Sequence, residues 1–258
     1  MCKPAEGDVD THTGERQGAT RGAVLFGRYP VLGSCKTRLA ESLGDDDTFL
    51  LYQALLADTA RKLDALPKTV PLGILAFPDG RTVPPTDPLG GNPFRRFRMV
   101  RQPDLPFGDR LAAAMRWPLA NGFSPSILVS ADSPELRNED LLAAFDKLST
   151  HDIVLGPAED GGYYLIGMNR FHPALFKGIT WSTSTVAGET VAATRSLGLS
   201  FALVGRCHDV DFLDDLVDLA RRRSAARDSL CPATDAWLAG TLPGQTRRRI
   251  GPNGEVLS

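Results

Sequence analysis

Residues 23–40 read AVLFGRYPVLGSCKTRLA, and the order of apolar run, glycine and lysine in this stretch decides what kind of sheet the chain builds. Ala23 to Phe26 form a short apolar run ending at Gly27, the pattern of a buried first strand in a mostly parallel sheet. The loop that follows is basic and carries glycines, which invites comparison with a P-loop. That motif, G-x-x-x-x-G-K-[ST], has no break between its second glycine and its lysine, so that backbone N–H groups wrap a phosphate while the lysine reaches its outer oxygens. Here five residues separate Gly27 from Gly33, and Ser34-Cys35 stand between Gly33 and Lys36-Thr37. The lysine is shifted toward the next helix. The P-loop reading fails on this spacing, leaving a different phosphate site or a basic turn.

Outward from this loop, strands and helices alternate. Residues 45–66 carry Phe49, Leu50, Leu51, Leu55, Leu56 and Leu63 at helical spacing and stop before Pro67. VPLGILAF (70–77) reads as a second strand, the Pro/Gly-rich residues 78–93 as a surface excursion, and FRRFRMV (94–100) as a third strand. FGDRLAAAMRWPLANG predicts a helix ending near Pro118, and SILVSAD (126–132) a buried strand with an acid at its end. Further on come a helix over 138–149, a strand over 152–157, an antiparallel GGYYLIGM (161–168), a helix near 185–197, a strand in SFALV and a helix in FLDDLVDLARRR. The fold class this predicts is α/β, with a mostly parallel mixed sheet sandwiched by helices. Residues 1–21 read as a disordered leader, 22–224 as one α/β domain, and 225–258 as a basic Pro/Gly-containing C-terminal extension.

Composition narrows the partners. With 258 residues, 42% of them hydrophobic, the chain can bury a substantial core. A net charge of −2 gives no global field for nucleic acid or an anionic membrane, so an anionic ligand must be held by local groups. Arg221–Arg223 and Arg247–Arg249 read as a solvated helix end and tail. Cys2, Cys35, Cys207 and Cys231 are scattered without metal-ligand spacing or a disulfide framework. The first twenty residues lack an apolar core for a signal peptide, and no run is long enough to cross a bilayer, so the expected location is the cytoplasm.

In open α/β sheets ligands bind beyond the carboxyl ends of the strands, and charged residues cluster at four such places. The first is the loop with Arg28, Lys36 and Arg38. Taken alone these fit solvated charges at a helix start, but cations there oppose the helix dipole, which favours anion binding. Asp132 in ADSP fits an N-cap or an acid that holds Mg²⁺ beside a phosphate. Glu159 and Asp160 precede Gly161 and Gly162, which fit a turn and also let a ligand approach the backbone. Asp209 and Asp211 in HDVDFLDDL fit helix caps when considered by themselves. Tyr163, Tyr164 and Trp181 fit core or pocket-wall positions. Together, cations on the first loop and acids after later strands suit a nucleotide di- or triphosphate, the bases neutralising one end and the acids holding a bridging metal.

The blocks AVLFGRYPVLGSCKTRLA, FGDRLAAAM, ILVSADSPEL, DIVLGPAEDGGYYLIGM, ITWSTSTV and CHDVDFLDDL, spread over roughly residues 22–220, resemble in order a family of GT-A-like transferases found near radical-SAM/selenodomain proteins and usually labelled glycosyltransferases. Lys36-Thr37-Arg38-Leu39 is also similar to the Lys-Ser-Arg-Leu loop of guanylyltransferases that activate phospholactate. The resemblance implies the nucleotide-diphospho-sugar transferase (GT-A) fold. It implies that Lys36 and Arg38, with Gly27, Arg28 and Gly33 on the same loop, contact the nucleotide, and that Asp132 and Asp211 hold a catalytic divalent metal, Mg²⁺ or Mn²⁺. Asp160, Gly161 and Gly162 would shape the acceptor side, where Glu159 and Trp181 are further substrate-binding candidates. ADSP departs from a strict DxD.

The catalytic candidates are thus Lys36, Asp132 and Asp160. The leading expectation is nucleotidyl transfer: a small phosphorylated or anionic acceptor attacks the α-phosphorus of an NTP and pyrophosphate departs. The alternative is glycosyl transfer from a nucleotide sugar, with Glu159 or Asp160 deprotonating an acceptor hydroxyl. A non-catalytic nucleotide-binding module ranks behind both because the acids are present.

Overall fold

Along the first strand the buried residues alternate between two cores, Ala23 and Leu25 joining one, Val24 and Phe26 the other. A strand buried on both faces needs a helical layer on each side. The computed structural model describes residues 20–76, 82–226 and 228–243, with the backbone of 249–250 and 256–257. Its elements in order are β1 (Thr20–Arg28), α1 (Thr37–Leu43), α2 (Asp45–Asp64), β2 (Thr69–Ala76), β3 (Arg98–Arg101), α3 (Phe107–Ala120), β4 (Phe123–Ser130) and α4 (Asn138–Lys147). Then come β5 (Ile153–Pro157), β6 (Tyr163–Met168), α5 (Val186–Ser196), β7 (Phe201–Leu203), α6 (Leu213–Ala225), α7 (Pro232–Leu238) and a small ribbon, β8 (Arg249–Ile250) with β9 (Val256–Leu257). Leu56, Ala60 and Leu63 of α2 and Leu141, Ala144 and Phe145 of α4 cover the first face. Leu111, Ala114 and Met115 of α3, with Val191 and Ala193 of α5, cover the second.

The sheet order is β3-β2-β1-β4-β6-β5-β7. Its pairs are parallel except those of β6, which runs antiparallel to both β4 and β5. The link from Pro157 to Tyr163 is too short for a parallel crossover, so the chain turns back at Asp160-Gly161-Gly162. Gly161 has φ +87°, and a Cβ there would sit 2.0 Å from the Ser184 carbonyl oxygen, so only glycine fits. From β1 the chain moves outward through β2 and β3, then returns to the other side of β1 as β4. That reversal opens a crevice at the carboxyl ends of β1 and β4.

Several elements differ from the sequence expectation. The third strand starts only at Arg98, because Phe94–Phe97 close a turn that buries both rings edge to face. The helix expected to end near Pro118 runs on to Ala120; a proline this near the end removes a single hydrogen bond, and the Asn121 N–H donates to the Trp117 and Pro118 carbonyls. Arg223 is not solvated. Its Nε and Nη2 each donate to Asp235 at 2.8 Å, and Nη1 donates to Asp228, clamping α6 to α7.

Helix α7, for which the sequence offers no helical pattern, packs on α2 through buried Trp237, whose Nε1–H donates to the Asp47 carbonyl at 3.0 Å. Arg247, Arg248 and residues 1–19 of the leader lie outside the described residues. Cys35, Cys207 and Cys231 are free and buried. Among the described residues no helix is long and apolar enough to cross a membrane.

Candidate active site

Tyr52, on the buried face of α2, fixes the end of β1. Its hydroxyl donates to the Arg28 carbonyl and accepts the Arg28 N–H, each at 3.0 Å. The loop then turns through Gly33 at φ +72° and reaches Lys36, which N-caps α1 in the left-handed region at φ 49°, ψ 46°. A non-glycine residue pays about 1–3 kcal/mol for such a conformation, and it persists where neighbours hold it. Here the neighbours are acids. Lys36 Nζ lies 2.5 Å from Asp132 Oδ1 and 2.6 Å from Asp211 Oδ1, with the lysine side chain 7% exposed and the two carboxylates 38% and 43% exposed.

Asp132 and Asp211, far apart in sequence, meet because the segment after β7 runs along the sheet edge. Cys207 N–H donates to the Pro157 carbonyl, and Val210 N–H donates to the Asp132 carbonyl at 3.0 Å. Asp215, in the first turn of α6, ties down the entry to the helix: its Oδ2 accepts the N–H groups of Asp211 and of the N-cap residue Phe212 at 2.9 and 2.8 Å. Asp211 is thereby free to point at the cleft. Burial works against the Lys36 charge, but Asp132 and Asp211 outweigh it and hold the ammonium above its ordinary range. Burial likewise penalises the Asp211 charge, yet Lys36 and then Arg38 pull its carboxyl below the ordinary value. Burial pushes the neighbouring Asp209, which accepts a hydrogen bond from Ser133, up to about 7.

Two cavities adjoin along this line of charge. The first, about 340 Å³, is lined by the cations Arg28, Lys36, Arg38 and Arg110 against the carboxylates Asp132 and Asp211. The second, about 390 Å³, reverses that balance: Asp132, Asp160, Asp209 and Asp211 face Arg38 alone. Phe26, Phe107, Ser130 and the Asp132–Asp211 pair lie on both linings.

The sequence candidates divide accordingly. Gly27, Arg28, Lys36 and Arg38 line the first cavity; Asp160, Gly162 and Trp181 line the second, with the loop at Ser182–Ser184. Trp181 packs against Phe107 at 5.3 Å between ring centroids. Asp160 Oδ1 accepts the Gly162 N–H at 2.8 Å, so the turn and the pocket wall are one feature. Three candidates line neither cavity: Gly33 shapes the loop from outside, Gly161 packs under Ser184, and Glu159 pairs with Arg206 on the surface.

The sequence reading missed Tyr52, Gln102, Phe107 and Arg110. Gln102 follows β3 directly, the same post-strand position that identified the other candidates, and its Nε2 donates to the Gly27 and Ile74 carbonyls at 2.8 and 2.9 Å. Arg110 was visible as a charge in the first turn of the FGDRLAAAM helix.

Among the described residues no cluster of three or more His, Cys, Asp or Glu has metal-ligand geometry. The Asp132–Asp211 pair still fits a divalent ion arriving with a nucleotide. Both carboxylates already converge on one positive point, and Mg²⁺ is commonly held by one or two carboxylates together with substrate phosphates.

A crystal structure from Desulfovibrio desulfuricans G20, provisionally described as a nucleotide-diphospho-sugar transferase, is 28% identical to this chain. It superposes with a TM-score of 0.71 over 84% of this chain and 93% of its own. The fold is that of the GT-A-like transferases. Residues 84–183 match DUF2064, described as an uncharacterized protein conserved in bacteria. More distant neighbours of this GT-A-like fold include the inositol-1-phosphate CTP transferase of T. maritima, at 12% identity and a TM-score of 0.47, covering 88% of this chain and all of its own. A CMP:2-keto-3-deoxy-manno-octonic acid synthetase complexed with CTP follows at 10% identity and a TM-score of 0.47, covering 79% of this chain and 98% of its own. None of the curated proteins compared with the chain matches it.

Proposed function

We propose that the protein is a metal-dependent nucleotidyltransferase. The cation-lined cavity takes the phosphates of a nucleoside triphosphate, the acid-lined cavity takes a small acceptor, and pyrophosphate leaves. The observation that carries this reading is the meeting of Lys36, Asp132 and Asp211 on the border between the two cavities, where a group passing from one to the other would lie. Asp132 and Asp211 would hold the divalent ion, which neutralises polyphosphate charge when bound. Lys36, freed from the carboxylates, would join Arg28 and Arg38 in opposing the charge that builds on the departing pyrophosphate. An acceptor phosphate is already ionised and needs no base, in keeping with the absence of histidine from both linings among the described residues. The likeness to the D. desulfuricans G20 protein supports a nucleotide-linked substrate.

One observation favours glycosyl transfer from a nucleotide sugar as a second reading. The second cavity offers an incoming phosphate one arginine against four carboxylates, a setting better suited to hydroxyl groups, one of which Asp160 could deprotonate. The two readings release different products. Incubation with each NTP and with common nucleotide sugars, in Mg²⁺ or Mn²⁺ and with panels of phosphorylated acids and polyols, is expected to give acceptor-dependent pyrophosphate. Release of a nucleoside diphosphate from a sugar donor instead selects the second reading, and full activity in Asp132→Ala overturns both.

A further inference from the structure

Arg110 sits in the first turn of α3 and has no acid of its own among the described residues. Its guanidinium lies over the Phe107 ring at 5.7 Å, and Nη1 donates to Gln102 Oε1 at 3.3 Å. Its Nε–H is buried without a hydrogen-bond partner. Beside it stands a second guanidinium, Arg28, whose Nη1 donates a long 3.5 Å hydrogen bond to the Ser34 carbonyl. Neither arginine has a carboxylate within ion-pair distance among the described residues. Burial first, and Arg28 next, hold Arg110 below its usual range, while Asp104 opposes them without cancelling the effect.

Both arginines line the cation-rich cavity, and both also line an adjoining groove of about 510 Å³ between the loop after β1 and the loop after β3. Two like charges sharing one wall repel each other, and a buried N–H without an acceptor carries an uncompensated desolvation cost. One dianionic oxygen cluster placed between them relieves both costs. Guanidinium forks match phosphate oxygens in pairs, whereas the point charge of a lysine does not.

We propose that Arg110 and Arg28 together form a phosphate-binding subsite at the end of β1, holding part of the polyphosphate of the nucleotide, with Arg110 a binding residue. Lys36 lines the same cavity but is committed to Asp132 and Asp211 when no ligand is present, whereas the two arginines have no such carboxylate partner among the described residues. The nucleotide as ligand rests on the function proposed above. The anion subsite can be tested without any transfer reaction.

Inorganic pyrophosphate is the probe, titrated calorimetrically into the full-length protein and into Arg110→Gln and Arg110→Lys. Charge-assisted hydrogen bonds of this kind predict about a ten- to hundredfold weaker affinity in Arg110→Gln, with Arg110→Lys in between. Thermal melting without ligand should not fall in Arg110→Gln, because the repulsion with Arg28 has been removed, while the upward melting shift induced by pyrophosphate should shrink. A wild-type protein that does not bind pyrophosphate, or an Arg110→Gln variant that binds it as tightly as wild type, overturns the subsite. Pyrophosphate binding that depends on Arg110 without any nucleotide transfer keeps the subsite and sinks the proposed function. Transfer with an unchanged KM for NTP in Arg110→Gln does the reverse.

Discussion

Two clusters of buried charge in this protein are built differently. In the first, Asp58 has a fully buried side chain and every direction around it is answered. Its oxygens accept from the N–H groups of Ala233 and Thr234, the Thr234 hydroxyl, and Arg61 at 2.9 Å. Asp87 accepts Arg61 Nη2 on both oxygens, at 2.7 and 2.6 Å, and the Leu89 N–H. In the second cluster the cation is buried but its partners are not: Asp132 and Asp211 keep 38% and 43% of their side chains exposed and face a cavity. The first cluster is a joint that ties α7 and the loop at Asp87 to α2. The second pairs its charges provisionally, with acceptor capacity left over for something that is not protein. Burial of charge alone does not separate structure from function; the direction in which the unspent hydrogen-bonding capacity faces does.

The contrast breaks most easily at Asp58. Asp58→Ala leaves Arg61 short of a partner and strips the N-terminal turn of α7 of its acceptor. Removing one member of a buried pair costs about 3–5 kcal/mol, so urea denaturation should show a loss of that size. Activity per folded molecule should stay unchanged, and a fall there with stability intact would make the two clusters one. Asp132→Ala should act the other way. Loss of a group that stabilises charge in the transition state predicts a drop in kcat/KM of about a hundred- to thousandfold, or about 2.7–4 kcal/mol. Its urea midpoint should move little, since the half-exposed carboxylate leaves a Lys36–Asp211 pair behind.

The sequence made the second cluster more legible than the first. Asp132 could be singled out because it follows the end of β4, and in an α/β sheet that position has a meaning before any coordinates exist, whereas Asp211 by itself reads as a helix cap and comes forward only through the family resemblance. Their common partner could not be found in this way. Lys36 was expected to face the nucleotide phosphates, and nothing in the local spacing says that its left-handed backbone turns the side chain toward two acids. Asp58 was less visible still. On α2 it reads as a polar residue among leucines, and its partners lie about 175 residues away on a helix without an apolar period of its own. Arg223 escaped for the same reason, since an arginine run at a helix end is ordinarily solvated and only the α7 contact buries this one. The alternation of strands and helices and the layering followed from short-range patterns, whereas these pairings depend on how distant segments dock.

The smallest expected effect is the sharpest test of what provisional pairing means. If Lys36 occupies the place where a divalent ion binds, the ammonium and the ion compete for the same two carboxylates, and the lysine sets a threshold for metal binding in the absence of nucleotide. Lys36→Met keeps the length of the side chain and removes the competitor. Mn²⁺ binding followed by water-proton relaxation, with no nucleotide present, should therefore tighten about tenfold, equivalent to about 1.4 kcal/mol. In the wild-type protein, added pyrophosphate should tighten Mn²⁺ binding by drawing the ammonium away and supplying phosphate oxygens. That enhancement should be smaller in Lys36→Met, where no ammonium has to leave. Weaker Mn²⁺ binding in the variant would mean that Lys36 organises the two acids rather than competing for them, and the cluster would then be a joint like the one at Asp58.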